Sequence, residues 1–221
     1  MESRVDPQNM PQSIVYVIDD HPQELLLIRR LCESVNLEVQ TFDSPDDFLK
    51  QVDPKSAGCV VVDLLMPQMS GLDVQTRMLA LGVTMPIIVV TGHADTGTCR
   101  TAFKKGVFDF LEKGFEPHDL LTSIQRALEA NEQHREKESQ RGVAMAQLDA
   151  LTQREVEVMR QLAQGNSLKE IAGASGISVQ TASKHRCNIF RKLDVNNEVD
   201  LLKLLISIDP EYASLATGST A

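Results

Sequence analysis

The sequence has no tryptophan, and aromatic residues make up only 4% of its 221 positions while hydrophobic residues make up 42%, the composition of an ordinary soluble protein. Long hydrophobic runs are missing as well. The most apolar stretches, such as "IIVV" and "LLKLLISI", fall far short of the about 20 residues that a spanning helix needs. The start, "MESRVDPQNMPQS", lacks the cationic and then apolar order of a targeting segment, so a cytoplasmic location without membrane contact is expected. Cysteine is scarce and unpaired in pattern. Cys32, Cys59, Cys99 and Cys187 form no C-x-x-C pair and no metal-ligand spacing, and they read as reduced thiols.

A chain of 221 residues is long enough for two domains, each with its own core. Its net charge of -9 argues against nucleic acid until the charge is divided along the chain. Residues 1–130 hold 11 Lys and Arg against 19 Asp and Glu, whereas residues 151–208 hold 8 against 6. An acidic half is therefore joined to a mildly basic one. The joint is "NEQHREKESQRG", residues 131–142, where the apolar spacing of Leu120, Leu121, Ile124, Ala127 and Leu128 stops. It predicts a helical extension ending near Gly142 and then a flexible tether, giving domains over 13–130 and 148–208, a linker over 131–147, and disordered tails at 1–12 and 209–221.

The first half alternates short apolar runs with amphipathic stretches, the pattern of strand and helix units around a parallel sheet. Strands are predicted at 14–18, 37–42, 59–62, 86–91 and 107–112, with helices near 22–35, 45–51, 71–81, 96–104 and 117–130. The expected fold is α/β, a flavodoxin-like, doubly wound domain. Ligands of such sheets lie beyond the carboxyl ends of the strands, where this chain sets Asp19 and Asp20, Asp63, Thr91 and Lys113. Three carboxylates in one crevice repel unless a cation holds them, and a hard divalent ion such as Mg²⁺ suits oxygen ligands. A hydroxyl and an ammonium are the further groups needed to hold a phosphoryl group on a carboxylate.

The set "VIDDHP", "VVDLLMPQMSG", "VVTGHAD" and "DFLEKGF" makes residues 13–130 resemble the receiver domain of two-component response regulators. The resemblance implies that Asp63 accepts a phosphoryl group from a histidine kinase. It further implies that Asp20, Asp63 and the Leu65 carbonyl bind Mg²⁺ with Asp19 assisting through water, that Thr91 and Lys113 grip phosphoryl oxygens, and that Phe110 is the aromatic that swings inward. Plain core packing is the other reading of Phe110. The family usually follows its lysine with a cis proline; here Gly114 follows Lys113, which leaves open whether the loop keeps that geometry or relaxes to trans.

The second half is helical in pattern. Thr152 with Glu155 and Ser167 with Glu170 fit the capping box, and "ASGIS" supplies a turn before a third helix capped by Ser178, which makes a helix-turn-helix. In that third helix Ala182, His185, Ile189 and Leu193 can face a core, leaving Ser183, Lys184, Cys187, Asn188 and Arg191 outside. Residues 178–193 carry Lys184, Arg186, Arg191 and Lys192 and no acidic residue, which suits phosphate contacts beside a major groove. Residues 148–208 resemble the LuxR-type domain of FixJ/NarL-type regulators in "LTQREVEVMRQLAQGNSLKEIA", "SVQTASKHRCNIFRKLDV" and "EVDLLKLL". By that resemblance Ser183, Lys184 and Cys187 point at base edges, and Asn188 and Arg191 anchor to phosphate. The stripe Val199, Leu202 and Ile206 of the last helix serves either dimerisation or packing onto its own domain.

Together these readings imply a transcription regulator, an activator by its subgroup, controlled by phosphorylation of Asp63. Its expected partners are a histidine kinase, promoter DNA, RNA polymerase and a second copy of the chain. Two other readings stay open: a Mg²⁺-dependent phosphohydrolase with Asp63 as nucleophile, and a pseudo-receiver that binds DNA constitutively.

Overall fold

A computed structural model describes residues 13–67, 69–92 and 106–212. The chain divides after Arg135 into two units. In the first, β1 (Ile14–Ile18), β2 (Glu38–Phe42), β3 (Gly58–Asp63), β4 (Ile87–Thr91) and β5 (Asp109–Glu112) form one parallel sheet in the order β2-β1-β3-β4-β5. That is the doubly wound order predicted from the alternation of strands and helices. The inner strands bury both faces, which is why they read as unbroken Val/Ile runs. Alternate residues along each strand feed two separate cores. Tyr16, Ile18, Val60, Val62, Ile87 and Val89 pack with Phe42, Phe48 and Met78, where α2 (Pro45–Gln51) and α3 (Gly71–Ala80) lie. Val15, Val17, Cys59, Val61, Ile88 and Val90 pack on the other face with α1 (Pro22–Glu33) and with Leu120, Ile124 and Ala127 of α4 (Pro117–Asp149). Cys32 and Cys59 are buried there as free thiols, and burial pushes the Cys32 thiol up to about 11. The helix predicted over 96–104 lies outside the described residues.

Helix α4 runs 33 residues and passes Gly142 without a break, so the tether expected beyond that glycine is helical instead. Residues 136–143 are exposed, but Ala144 is buried and Leu148 packs with Leu151 on the core of the second unit. An apolar pair four residues apart after Gly142 thus supplies the packing that sustains the last turns.

The second unit contains α5 (Gln153–Ala163), α6 (Leu168–Ser175), α7 (Val179–Leu193) and α8 (Glu198–Ile208). Both predicted capping boxes form, at Thr152 with Glu155 and at Ser167 with Glu170, and Ser178 accepts a hydrogen bond from the Thr181 amide. Gly176 ends α6 in the left-handed region, so the turn into α7 is tight. The core joins Val158, Met159 and Leu162 to Ile171, Ala182, Ile189, Phe190, Leu193, Leu201 and Leu205. Helix α8 buries Leu201, Leu205 and Ile208, while Val199 stays 61% exposed, so the face that packs is not the predicted stripe of Val199, Leu202 and Ile206. A helix apolar on both flanks cannot be assigned a face by periodicity. Residues 209–212, expected as the start of a disordered tail, include Tyr212, which packs against this core.

Candidate functional site

Each acidic residue named from the sequence stands at or just beyond a strand end. Asp63 closes β3, with 5% of its side chain exposed, and its Oδ2 accepts the Leu65 backbone N–H at 3.0 Å. Asp19 and Asp20 follow β1, and the Lys113 ammonium lies 2.9 Å from both Asp19 Oδ2 and Asp63 Oδ1. Lys113 therefore joins two buried carboxylates that are 44 residues apart in sequence, and its own backbone N–H donates to the Thr91 carbonyl at 2.7 Å, tying β5 to the end of β4. Burial pushes the Asp63 carboxyl up, with the ammonium and the Leu65 amide only partly opposing it. Burial works against the charge of Lys113, yet its bonds to Asp19 and Asp63 outweigh that and hold its pKa above the ordinary lysine value.

The bond from Lys113 to Gly114 is trans, since the described residues contain no cis peptide, and Gly114 has φ 96°, which a side chain would resist. Even without a proline, Lys113 reaches both carboxylates. Thr91 is fully buried at the end of β4, and Phe110 is half-buried against the core on the α3 side of the sheet. Two residues of this site carried no expectation from the sequence. His21 donates its backbone N–H to Asp19 Oδ1 at 2.8 Å, and its Nδ1 lies 3.2 Å from that oxygen and 3.1 Å from Asp20 Oδ1. Gly71 starts α3 so close to Asp63 that a Cβ there would meet the Asp63 carbonyl oxygen at 2.7 Å. The signals were the His after "DD" and the Gly after "QMS"; neither belongs to the set of strand-end residues from which the site was read.

The ligand atoms of Asp19, Asp20 and His21 lie within 4.8 Å of one another. The two carboxylates, with Asp63 across Lys113, fit a hard divalent cation such as Mg²⁺.

In the second unit, Ala182, Ile189 and Leu193 of α7 are buried as the spacing predicts, His185 is half-buried, and Phe190 joins them. Lys184, Cys187 and Arg191 are exposed, Ser183 and Asn188 half-buried, and the Arg191 guanidinium donates to Asn188 Oδ1 at 3.3 Å. The four cations of the helix are not equivalent. Arg186 bonds Glu198 at 2.6 Å and lies 4.3 Å over the Phe190 ring, while Lys192 bonds buried Glu155 at 2.7 Å and the Ala150 carbonyl at 3.0 Å. Both are committed to the domain's own packing. Lys184 makes no ion pair among the described residues, so Lys184 and Arg191 carry the charge that faces outward.

The family model of the response regulator receiver domain matches residues 15–125, and that of the bacterial regulatory proteins, luxR family, matches residues 149–205. This chain belongs to the two-component response regulators. It is 36% identical over 196 residues to the response regulator protein TmoT of Ectopseudomonas mendocina, with 89% of each chain covered. It is 35% identical over 190 residues to the transcriptional regulatory protein FixJ of Bradyrhizobium diazoefficiens, covering 86% of this chain and 93% of that one. Among solved structures it is similar to the response regulator StyR, with a TM-score of 0.79 at 34% identity over 88% of this chain and 98% of the other. Full-length FixJ from B. japonicum gives 0.55 at 33% identity, covering 90% and 98%. As a response regulator of the FixJ and TodT type, the chain pairs a receiver domain with a LuxR-type DNA-binding domain and acts in transcription regulation. Receiver domains bind Mg²⁺ at an acidic pocket of the kind formed here by Asp19 and Asp20. No helix among the described residues is long and apolar enough to cross a membrane.

Proposed function

We propose that this response regulator is switched by transfer of a phosphoryl group from a histidine kinase to Asp63, and that the phosphorylated chain pairs with a second copy, binds promoter DNA and activates transcription through RNA polymerase in the cytoplasm. The observation that carries the reading is the Lys113 ammonium held 2.9 Å from both Asp19 and Asp63. It supports the reading because an ammonium beside the attacking carboxylate can stabilise the oxygens of a phosphoryl group transferred there.

A carboxylate oxygen of Asp63 forms the new P–O bond while the P–N bond to the donor histidine breaks, and the departing imidazole keeps the bonding pair. The Leu65 amide orients the Asp63 carboxylate. The buried Thr91 hydroxyl holds one phosphoryl oxygen and Lys113 another, Lys113 exchanging its bond to Asp63 for one to the phosphoryl group. Asp20, Asp63 and the Leu65 carbonyl, with Asp19 assisting through water, would hold Mg²⁺, which would supply positive charge to the phosphoryl oxygens. Phe110, half-buried on β5, follows Thr91 inward and passes the change to the receiver surface. In the second unit Ser183, Lys184 and Cys187 meet base edges, and Asn188 and Arg191 meet phosphate.

Acetyl phosphate with Mg²⁺ should place one phosphoryl group on the full chain, and peptide mass spectrometry should locate it on Asp63. Asp63→Asn keeps the shape and removes the nucleophile, so uptake should vanish while the circular dichroism spectrum is kept. Stoichiometric labelling of that variant would overturn the assignment.

A further inference from the structure

We propose that Gln180, one turn before the residues already assigned to DNA, reads an adenine in the major groove and so helps to set the operator sequence. Helix α7 buries Ala182, Ile189, Phe190 and Leu193, which fixes the face it turns outward. Along that outward face Gln180, Lys184, Cys187 and Arg191 recur at spacings of four, three and four, and all four are exposed. The first three span seven residues, a rise of about 10 Å, comparable with the about 12 Å width of the major groove.

Position along the helix separates their tasks. Recognition helices of helix-turn-helix domains present their N-terminal residues to base edges. Gln180 is the second residue of α7, directly after the Ser178 cap and Val179, whereas Arg191 lies in the last turn. Among the described residues no hydrogen bond holds the Gln180 amide, so both its donor and its acceptor are available. A glutamine amide matches the N6 donor and N7 acceptor of adenine as a pair, and no other base edge in the major groove presents that order. The first turn of α7 holds no acidic residue, so no carboxylate beside Gln180 repels the flanking phosphates. With Arg186 and Lys192 engaged by Glu198 and Glu155, neutral side chains supply most of what this face can use to tell bases apart.

The inference rests on the reading that α7 enters the groove, and the test separates the two. The full-length protein, with and without acetyl phosphate and Mg²⁺, is mixed with duplexes randomised across the half-site, and the retained DNA is sequenced for wild type, Gln180→Ala and Gln180→Arg. Wild type should prefer A at one position; Gln180→Ala should lower that preference by roughly 5- to 150-fold and leave the other positions alone. Gln180→Arg should move the preferred base at the same position to G, because a guanidinium matches guanine O6 and N7. If both variants retain the wild-type sequences, or weaken every sequence alike, Gln180 reads no base and the proposal is wrong. If wild type itself enriches no sequence, α7 is not the reading element and the underlying assignment falls with it.

Discussion

Lys113 shows how one side chain can hold a site together before any ligand arrives. Asp19 and Asp63 are 2% and 5% exposed, and two such carboxylates side by side would push each other toward protonation. The ammonium between them removes that conflict. Lys113→Met should therefore lower the stability of the receiver by roughly 3 kcal/mol, the low end for breaking a buried pair because the lysine is 21% exposed. Adding Asp63→Asn to that variant should restore part of the loss, since one of the two facing charges is gone. Urea unfolding of the four proteins in EDTA, followed by a probe in the receiver, measures the cycle; losses that simply add would mean that Lys113 and Asp63 do not act on each other.

At the scale of elements, the start of α5 and the end of α7 are joined by one buried ion pair. Glu155 accepts from Lys192, from the Thr152 amide and from the Thr152 hydroxyl, and these bonds, Lys192 first, lower its pKa from 4.5 to about 2. A carboxyl lowered on folding stabilises the fold above its unfolded value, and that stability drains as pH falls from about 4.5 to about 2. The melting temperature of the second unit should thus fall steeply as pH drops across that window. Glu155→Gln should flatten this dependence and cost about 2 kcal/mol at neutral pH; an unchanged pH profile would show that the pair contributes nothing.

Commitment of two α7 cations to packing also divides the effects of their removal. Lys184→Ala and Arg191→Ala should each reduce the slope of log affinity against log salt by about 1 with the fold intact. Arg186→Ala and Lys192→Ala should leave the slope nearly unchanged and lower the melting temperature instead. DNA titrations at several salt concentrations beside melting curves distinguish the pairs, and equal slopes for all four variants would return Arg186 and Lys192 to the DNA face.

On the scale of the whole molecule, the proposed switch needs little energy. A charge-assisted hydrogen bond made only after phosphorylation, worth about 1.5–3 kcal/mol, shifts a balanced equilibrium by tenfold or more. Phosphorylation should therefore convert the full chain from monomer to dimer within a narrow concentration range and tighten DNA binding in parallel. Light scattering and DNA titration on the same samples, before and after acetyl phosphate, test the coupling. Tighter DNA binding by a chain that stays monomeric would make dimerisation irrelevant to control.

Local pattern determined a great deal about this protein. The Val/Ile runs and the polar residue that ends each one specified the sheet and brought Asp19, Asp63, Thr91 and Lys113 to one edge of it, because a parallel sheet collects strand ends whatever the loops do. The reciprocal bonds of Thr152 with Glu155 and Ser167 with Glu170 are complete within four residues, so the start of each helix could be read directly. The tertiary structure alone decided which charges were left over. Lys113 meets Asp19 across 94 residues, Lys192 meets Glu155 across 37, and Arg186 meets Glu198 across 12. It also decided that α8 packs through Leu201 and Leu205, and that α4 continues past Gly142 to the leucines that anchor it. Periodicity reports neighbours three or four residues away along one helix, whereas an ion pair or a choice between two apolar faces depends on which other element packs there, and only the folded chain contains that information.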